Sequence, residues 1–197
     1  MTDLLSDPVA MPGFADPVAD AQHSFRAVLA AMASPGSLHH VGAGLTAPAP
    51  LVQASAAMLL TLADAETPVF LDGDFAGARS WIAFHCAAPL VDSAGAARFA
   101  LTRQAVWPAD LALGSDEAPE ESATLIVQLA ALGSGTRYRL HGPGLAAPTP
   151  FAATGLPDGF VAAWARNRQL YPRGIDLILC AGTQIAALPR SVSVEEI

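Results

Sequence analysis

Tyr171-Pro172-Arg173-Gly174-Ile175-Asp176-Leu177-Ile178-Leu179-Cys180-Ala181-Gly182-Thr183-Gln184-Ile185-Ala186-Ala187-Leu188 is the stretch from which the fold can be read. Ile175–Cys180 is almost wholly apolar, so a strand here has no solvent face and must lie inside a covered sheet. Ala181-Gly182 turns the chain, and Gln184–Leu188 returns beside it. Pro172 and Gly174 set unusual backbone just before the strand. Asp176 falls where the core begins. A carboxylate there needs a partner, and Arg173 or Arg190, which follows Ala187-Leu188-Pro189, can supply it.

Upstream, Thr124–Leu132 is a second buried run. Gly133-Ser134-Gly135 reads as a turn, and Thr136–Leu140 alternates, so the three together predict a hairpin. Arg98–Leu101 and Pro68–Leu71 are short strands, the latter closed by Asp72-Gly73-Asp74. Helices are expected where apolar residues recur at helical spacing. The first follows Asp16-Pro17, a capping residue with proline in the first turn, and carries Val18, Phe25, Val28, Leu29 and Met32 until Ser34-Pro35-Gly36 stops it. Leu51–Asp64, Ala78–Cys86 and Pro157–Leu170 are the others, the last with Phe160, Val161 and Trp164 inward. Gly142–Pro157 is expected to be a long loop. The pattern predicts an α/β fold: residues 1–15 form a loose lead-in, and 16–197 a single three-layer domain with a mixed sheet flanked by helices.

Composition limits the chemistry. The 197 residues are 52% hydrophobic and 14% charged, enough to bury a large core. The formal charge is −8, so no basic surface for nucleic acid or anionic lipid is expected. All ten basic residues are Arg. Without Lys there is no Schiff base to pyridoxal phosphate and no Walker A loop. Phosphate recognition falls to Arg, backbone N–H groups or a bridging metal. The acidic start, Met1–Pro8, lacks the basic and apolar regions of a signal peptide, and Leu51–Ala63 is too short to span a bilayer, so a cytoplasmic protein is expected. Cys86 and Cys180 form no disulfide framework or metal spacing.

Few residues invite a site. His39 and His40 are adjacent on a strand, so they point to opposite faces and cannot chelate one ion together. His85-Cys86 closes a helix, and Asp72 and Asp74 flank an ordinary turn glycine. His23 and Arg26 share a helix face and suggest a polar site or a subunit contact. Arg173, Asp176 and Arg190 suggest either a structural ion pair or an anion or partner site. No catalytic residue is assigned, and no metal site is expected.

A set of short motifs runs in order along the chain. These are Asp20-Ala21-Gln22-His23-Ser24-Phe25-Arg26, Met32-Ala33-Ser34-Pro35-Gly36, Leu60-Thr61-Leu62-Ala63-Asp64, Thr67-Pro68-Val69, and Phe84-His85 with Ala88-Pro89-Leu90-Val91. Ala123-Thr124-Leu125-Ile126, Leu140-His141-Gly142-Pro143-Gly144, Pro172-Arg173-Gly174-Ile175-Asp176 and Leu188-Pro189-Arg190 complete it. Over roughly residues 14–193 this order and spacing resemble the PhnH family of the bacterial carbon–phosphorus lyase system. The resemblance implies organophosphonate degradation under phosphate starvation. The system displaces adenine from ATP with methylphosphonate, giving α-D-ribose 1-methylphosphonate 5-triphosphate. Its I component carries that step with help from the G, H and L components, and its J component makes the later radical cleavage. The resemblance also implies a fold like the cofactor domain of pyridoxal-phosphate-dependent transferases, a homodimer in isolation, and a place in a G–H–I–J core complex. ATP and Mg²⁺ then enter only at the level of the complex. With no Lys for an aldimine and no Cys cluster for an iron–sulfur centre, the chain has the makings of an accessory subunit.

Overall fold

A computed structural model describes residues 8–103 and 110–197. The first residues of the lead-in, 1–7, lie outside the described set. From Pro8 onward the lead-in is docked. The Met11 carbonyl accepts hydrogen bonds from Trp81 Nε1 and His85 Nε2, both at 3.0 Å.

In chain order the elements are α1 (Pro17–Ala33), β1 (His39–His40), α2 (Gln53–Leu62), β2 (Val69–Leu71), α3 (Arg79–Cys86), β3 (Leu90–Val91), β4 (Phe99–Arg103) and β5 (Thr124–Gln128). They continue with β6 (Ala131–His141), β7 (Thr149–Thr154), α4 (Phe160–Gln169), β8 (Asp176–Ala181), β9 (Gln184–Leu188) and β10 (Ser193–Glu196). Seven strands form one mixed sheet in the order β1-β9-β8-β5-β4-β2-β3. β8, β5, β4, β2 and β3 are parallel, while β9 and β1 add antiparallel at one edge. Leu101, Ile126 and Ile178 sit side by side across β4, β5 and β8, as do Ala100, Leu125 and Leu177 one residue earlier. The pleat sends these two rows to opposite faces. The first row packs under α1, α2 and α3 with Met58, Leu59, Trp81 and Ile82. The second packs against Tyr138, Leu140, Phe151, Phe160 and Trp164. The central strands are thus buried on both faces, as their uninterrupted apolar sequence requires.

The expectation of one sheet needs correction, because β10, β6 and β7 form a second, antiparallel sheet. Together with α4 it makes the third layer. The expected hairpin between the runs around 124–132 and 136–140 does not form. Both edges of β5 are already taken, by β4 and β8. Gly133-Ser134-Gly135 does bend the chain, but inside a strand. Leu132 and Thr136 both pair with Ala153, so the three residues bulge out of β6. Gly133 (φ 78°) and Gly135 (φ 95°) supply the left-handed backbone that the bulge needs, and Thr154 Oγ1 donates to the Ser134 carbonyl at 3.0 Å.

The expected loop 142–157 contains β7, the partner of that bulged strand. Its Thr-Pro-Phe-Ala-Ala-Thr sequence has little intrinsic strand preference. Tertiary contacts supply what propensity does not: Phe151 and Ala153 are buried in the second core, and Pro150 lies on an edge strand where a missing N–H does little harm.

α1 begins where expected, with Asp16 Oδ1 accepting from the Val18 and Ala19 amides. Its buried stripe, however, is Ser24, Ala27, Val28 and Ala31, small residues that let the helix approach β9 and α2 closely. Val18, Phe25 and Leu29 are 80%, 47% and 52% exposed.

Candidate functional site

The candidates divide into three places. The first is a knot around Arg190. Its Nε–H reaches both Asp176 carboxylate oxygens at 3.2 Å, and one Nη2 hydrogen reaches Oδ2 at 2.6 Å. The other Nη2 hydrogen goes to the Ser122 hydroxyl. Nη1 donates to the Pro119 and Pro172 carbonyls at 2.9 and 3.2 Å. The Arg190 amide also donates to Asp176 Oδ1 at 2.7 Å. All five guanidinium N–H groups are therefore committed within the protein. The knot joins the start of β5, the start of β8 and the end of β9, at the amino-terminal edge of the parallel strands. Arg173 lies in the adjacent turn but pairs elsewhere, with Asp116 at 3.2 Å on the surface.

The second place is the exposed face of α1. His23 and Arg26 lie there beside Phe25 and Leu29, and His23 Nε2 is 3.0 Å from the His40 carbonyl. The structure does not bring these two residues near the Arg190 knot as one site: α1 packs against β1, β9 and α2. His39 and His40 part as expected, His39 Nε2 to Ser37 Oγ at 2.9 Å and His40 Nδ1 to Thr183 Oγ1 at 3.2 Å.

The third place is not foreseen from the sequence. A cavity of about 700 Å³ opens at the carboxyl ends of β4 and β5. Arg103, the last residue of β4, lines it, with Val52 at the start of α2, Ala130, Gly155 and Asp158. Gln128 also faces it, but both ends of its amide are in use: Oε1 accepts from the Val52 amide at 2.9 Å, and Nε2 donates to the Pro50 carbonyl at 2.8 Å. Asp72 closes the neighbouring strand end. Its Oδ2 accepts from the Arg103 amide at 2.9 Å, and its Oδ1 from the Asp74 amide at 3.0 Å. The expected Asp72-Gly73-Asp74 turn is thus a cap that ties β2 to β4. The only hint of this site in the sequence is an Arg at the end of a short strand, a signal too common to single out.

Among the described residues no group of three or more His, Cys, Asp or Glu side chains is placed to hold a metal ion. Nor is any helix there long and apolar enough to cross a membrane. Cys86 and Cys180 are buried, and burial pushes both thiols up to about 12. A thiol with a raised pKa stays protonated, and so unreactive, throughout neutral and mildly alkaline pH. Ellman's reagent at pH 8 should therefore find no reactive thiol in the folded chain and two after guanidinium unfolding. Rapid labelling without denaturant would contradict the burial.

A model of the family described as "Bacterial phosphonate metabolism protein (PhnH)" matches residues 12–195. The chain belongs to the PhnH family. It is 41% identical over 187 residues to the "Alpha-D-ribose 1-methylphosphonate 5-triphosphate synthase subunit PhnH" of Rhizobium meliloti (strain 1021), covering 92% of this chain and 94% of that protein. It is also 34% identical over 82 residues, 42% of each chain, to the "Putative C-P lyase subunit protein HtxG" of Stutzerimonas stutzeri. The PhnH match spans all three layers, from the docked lead-in into β10, so the second sheet and the Arg190 knot both lie inside the family region.

Proposed function

We propose that this chain is a subunit of an α-D-ribose 1-methylphosphonate 5-triphosphate synthase in the carbon–phosphorus lyase system. It supports the reaction in which methylphosphonate displaces adenine from ATP, and it has no independent activity. The observation that carries this reading is the 41% identity over nearly the whole length of both chains to a subunit of that name. The proposed partners are the G, I, J and L components of the system, in the cytoplasm under phosphate starvation, and a second copy of the chain when it is alone.

The chemistry of the chain supports an accessory role. It has no Lys, so even a fold like the cofactor domain of pyridoxal-phosphate-dependent transferases would carry no aldimine. Its −8 charge does not draw a triphosphate through the overall field. Exposed Phe25 and Leu29 on α1, beside His23 and Arg26, suit a protein that buries surface against other chains.

Co-expression with the G, I and J components, followed by size-exclusion chromatography, tests the reading. The chain should elute with them in one stable complex, and adenine release from ATP and methylphosphonate should require it. Elution of this chain apart from the others under conditions where they assemble would overturn the proposal.

A further inference from the structure

We infer that the exposed face of α1 is the docking site for an amphipathic helix of a sibling subunit, one that carries carboxylates beside its apolar stripe. The inference rests on the subunit reading and gives that reading a surface. Spacing is the first ground. Val18, Gln22, Phe25 and Leu29 follow one another at intervals of four, three and four residues, so they line up along one side of the helix. All four are exposed, whereas Ser24, Ala27, Val28 and Ala31 hold the helix to the body of the protein. Single apolar residues on a surface need no explanation. Here three large ones stand in register and form a ridge over three helical turns. A second helix packs on such a ridge by setting its own side chains into the same alternation.

Charge is the second ground, and it selects the occupant. The chain has 18 Asp and Glu residues, yet none lies between Asp20 and Asp64. Most of α1 and all of β1 and α2 fall in that interval, and β9, which also packs against α1, has no carboxylate either. Asp16 and Asp20 are turned to the helix's own amino end. Asp16 Oδ1 accepts from the Val18 and Ala19 amides, and Asp20 Oδ2 accepts from the Asp16 amide at 3.1 Å. The charged and titratable side chains exposed beside the ridge are therefore Arg26, His23 and His40. In a protein of charge −8 this surface is set apart by its lack of acid. A partner gains by placing carboxylates opposite Arg26.

The same pattern disfavours two other occupants. A second copy related by a two-fold axis would present the same patch, Arg26 included, with no carboxylate to meet it. An anionic membrane calls for several cations, and this face has one Arg.

The test is co-expression with the G, I and J components and recovery of the assembly through a tag on the I component. The unaltered chain should come down with them. Phe25→Asp combined with Leu29→Asp should lower its recovery about tenfold or more. Arg26→Glu should lower it roughly threefold or more, by setting like charges against each other. Phe84→Asp, at another exposed apolar position but on α3, should leave it unchanged. Thermal melts of the isolated variants establish that they fold. If the double variant does not, Val18→Asp and Arg26→Glu, both at exposed positions, decide in its place. Recovery of the folded double variant at the parent level overturns the docking site and leaves the subunit reading standing. That includes the case in which the variant merely turns an isolated dimer into a monomer, since the ridge then belongs to a second copy. Loss of the double variant with no effect of Arg26→Glu overturns the acidic partner. Failure of the unaltered chain to join the assembly removes the subunit reading and this inference together.

Discussion

Arg190→Ala should lower the stability of the folded chain by about 3–5 kcal/mol, the usual cost of removing one member of a buried ion pair. The Arg190 and Asp176 side chains are only 15% and 21% exposed, so water can do little for the carboxylate left behind. The loss extends further, because Ser122 and the Pro119 and Pro172 carbonyls also lose their donor. For a chain of this size that corresponds to a melting temperature lower by roughly 6–20 °C. Arg190→Lys should recover only part of it, since an ammonium cannot reproduce a planar fork serving two carboxylate oxygens, two carbonyls and a hydroxyl at once. Thermal melts of both variants check this. A melting temperature within a degree or two of the parent would show that the knot contributes little. The functional corollary is that loss of activity in an Arg190 variant must be read against its folding before Arg190 is given any role toward ATP or phosphonate.

Trp164→Ala should be comparably damaging, by about 3–5 kcal/mol, through a cavity in the core between the large sheet and the third layer. Trp164 is fully buried and stacks on Phe160, with ring centres 6.3 Å apart and planes 20° apart. Its Nε1–H donates to the Val192 carbonyl at 2.7 Å, tying α4 to the segment that leads into β10. Trp164→Phe keeps much of the ring but leaves that buried carbonyl without its donor, so it should cost less, about 1–3 kcal/mol. Urea unfolding of the pair separates packing from hydrogen bonding. Equal midpoints for the two variants would mean that the ring's volume counts for little here.

Local readings succeed where a segment's own residues settle its state. Gln184–Leu188 forms a strand with the boundaries expected of it, because Ala181-Gly182 before it and Pro189 after it punctuate the chain. Asp16-Pro17 starts α1 because both residues act within one turn of themselves. The reading of 124–140 as a hairpin fails for a reason outside the segment. Gly-Ser-Gly offers a bend, and only the occupancy of both β5 edges decides whether the bend returns to β5 or bulges in a different sheet. On α1 the larger apolar residues suggest the packed face, but the neighbouring elements approach along Ser24, Ala27, Val28 and Ala31 and leave Phe25 and Leu29 outside.

The candidate residues show the same division. That Asp176 wants a cationic partner is a property of a carboxylate beside an apolar strand, and Arg190 lies close enough along the chain to be named. That the same Arg also serves Ser122 and Pro119, 68 and 71 residues away, is visible only when the strands are assembled.

Residue identity, and spacing within a few turns, are enough for the α/β character, the strands buried on both faces, the family, and the chemistry that a chain without Lys cannot perform. Three features need the assembled fold: the division into two sheets, the full bonding of Arg190 within the protein, and the cavity that Arg103 lines at the carboxyl ends of β4 and β5. Those depend on which strand edges and which donors remain free once distant segments have paired, a quantity that no single segment of the chain contains.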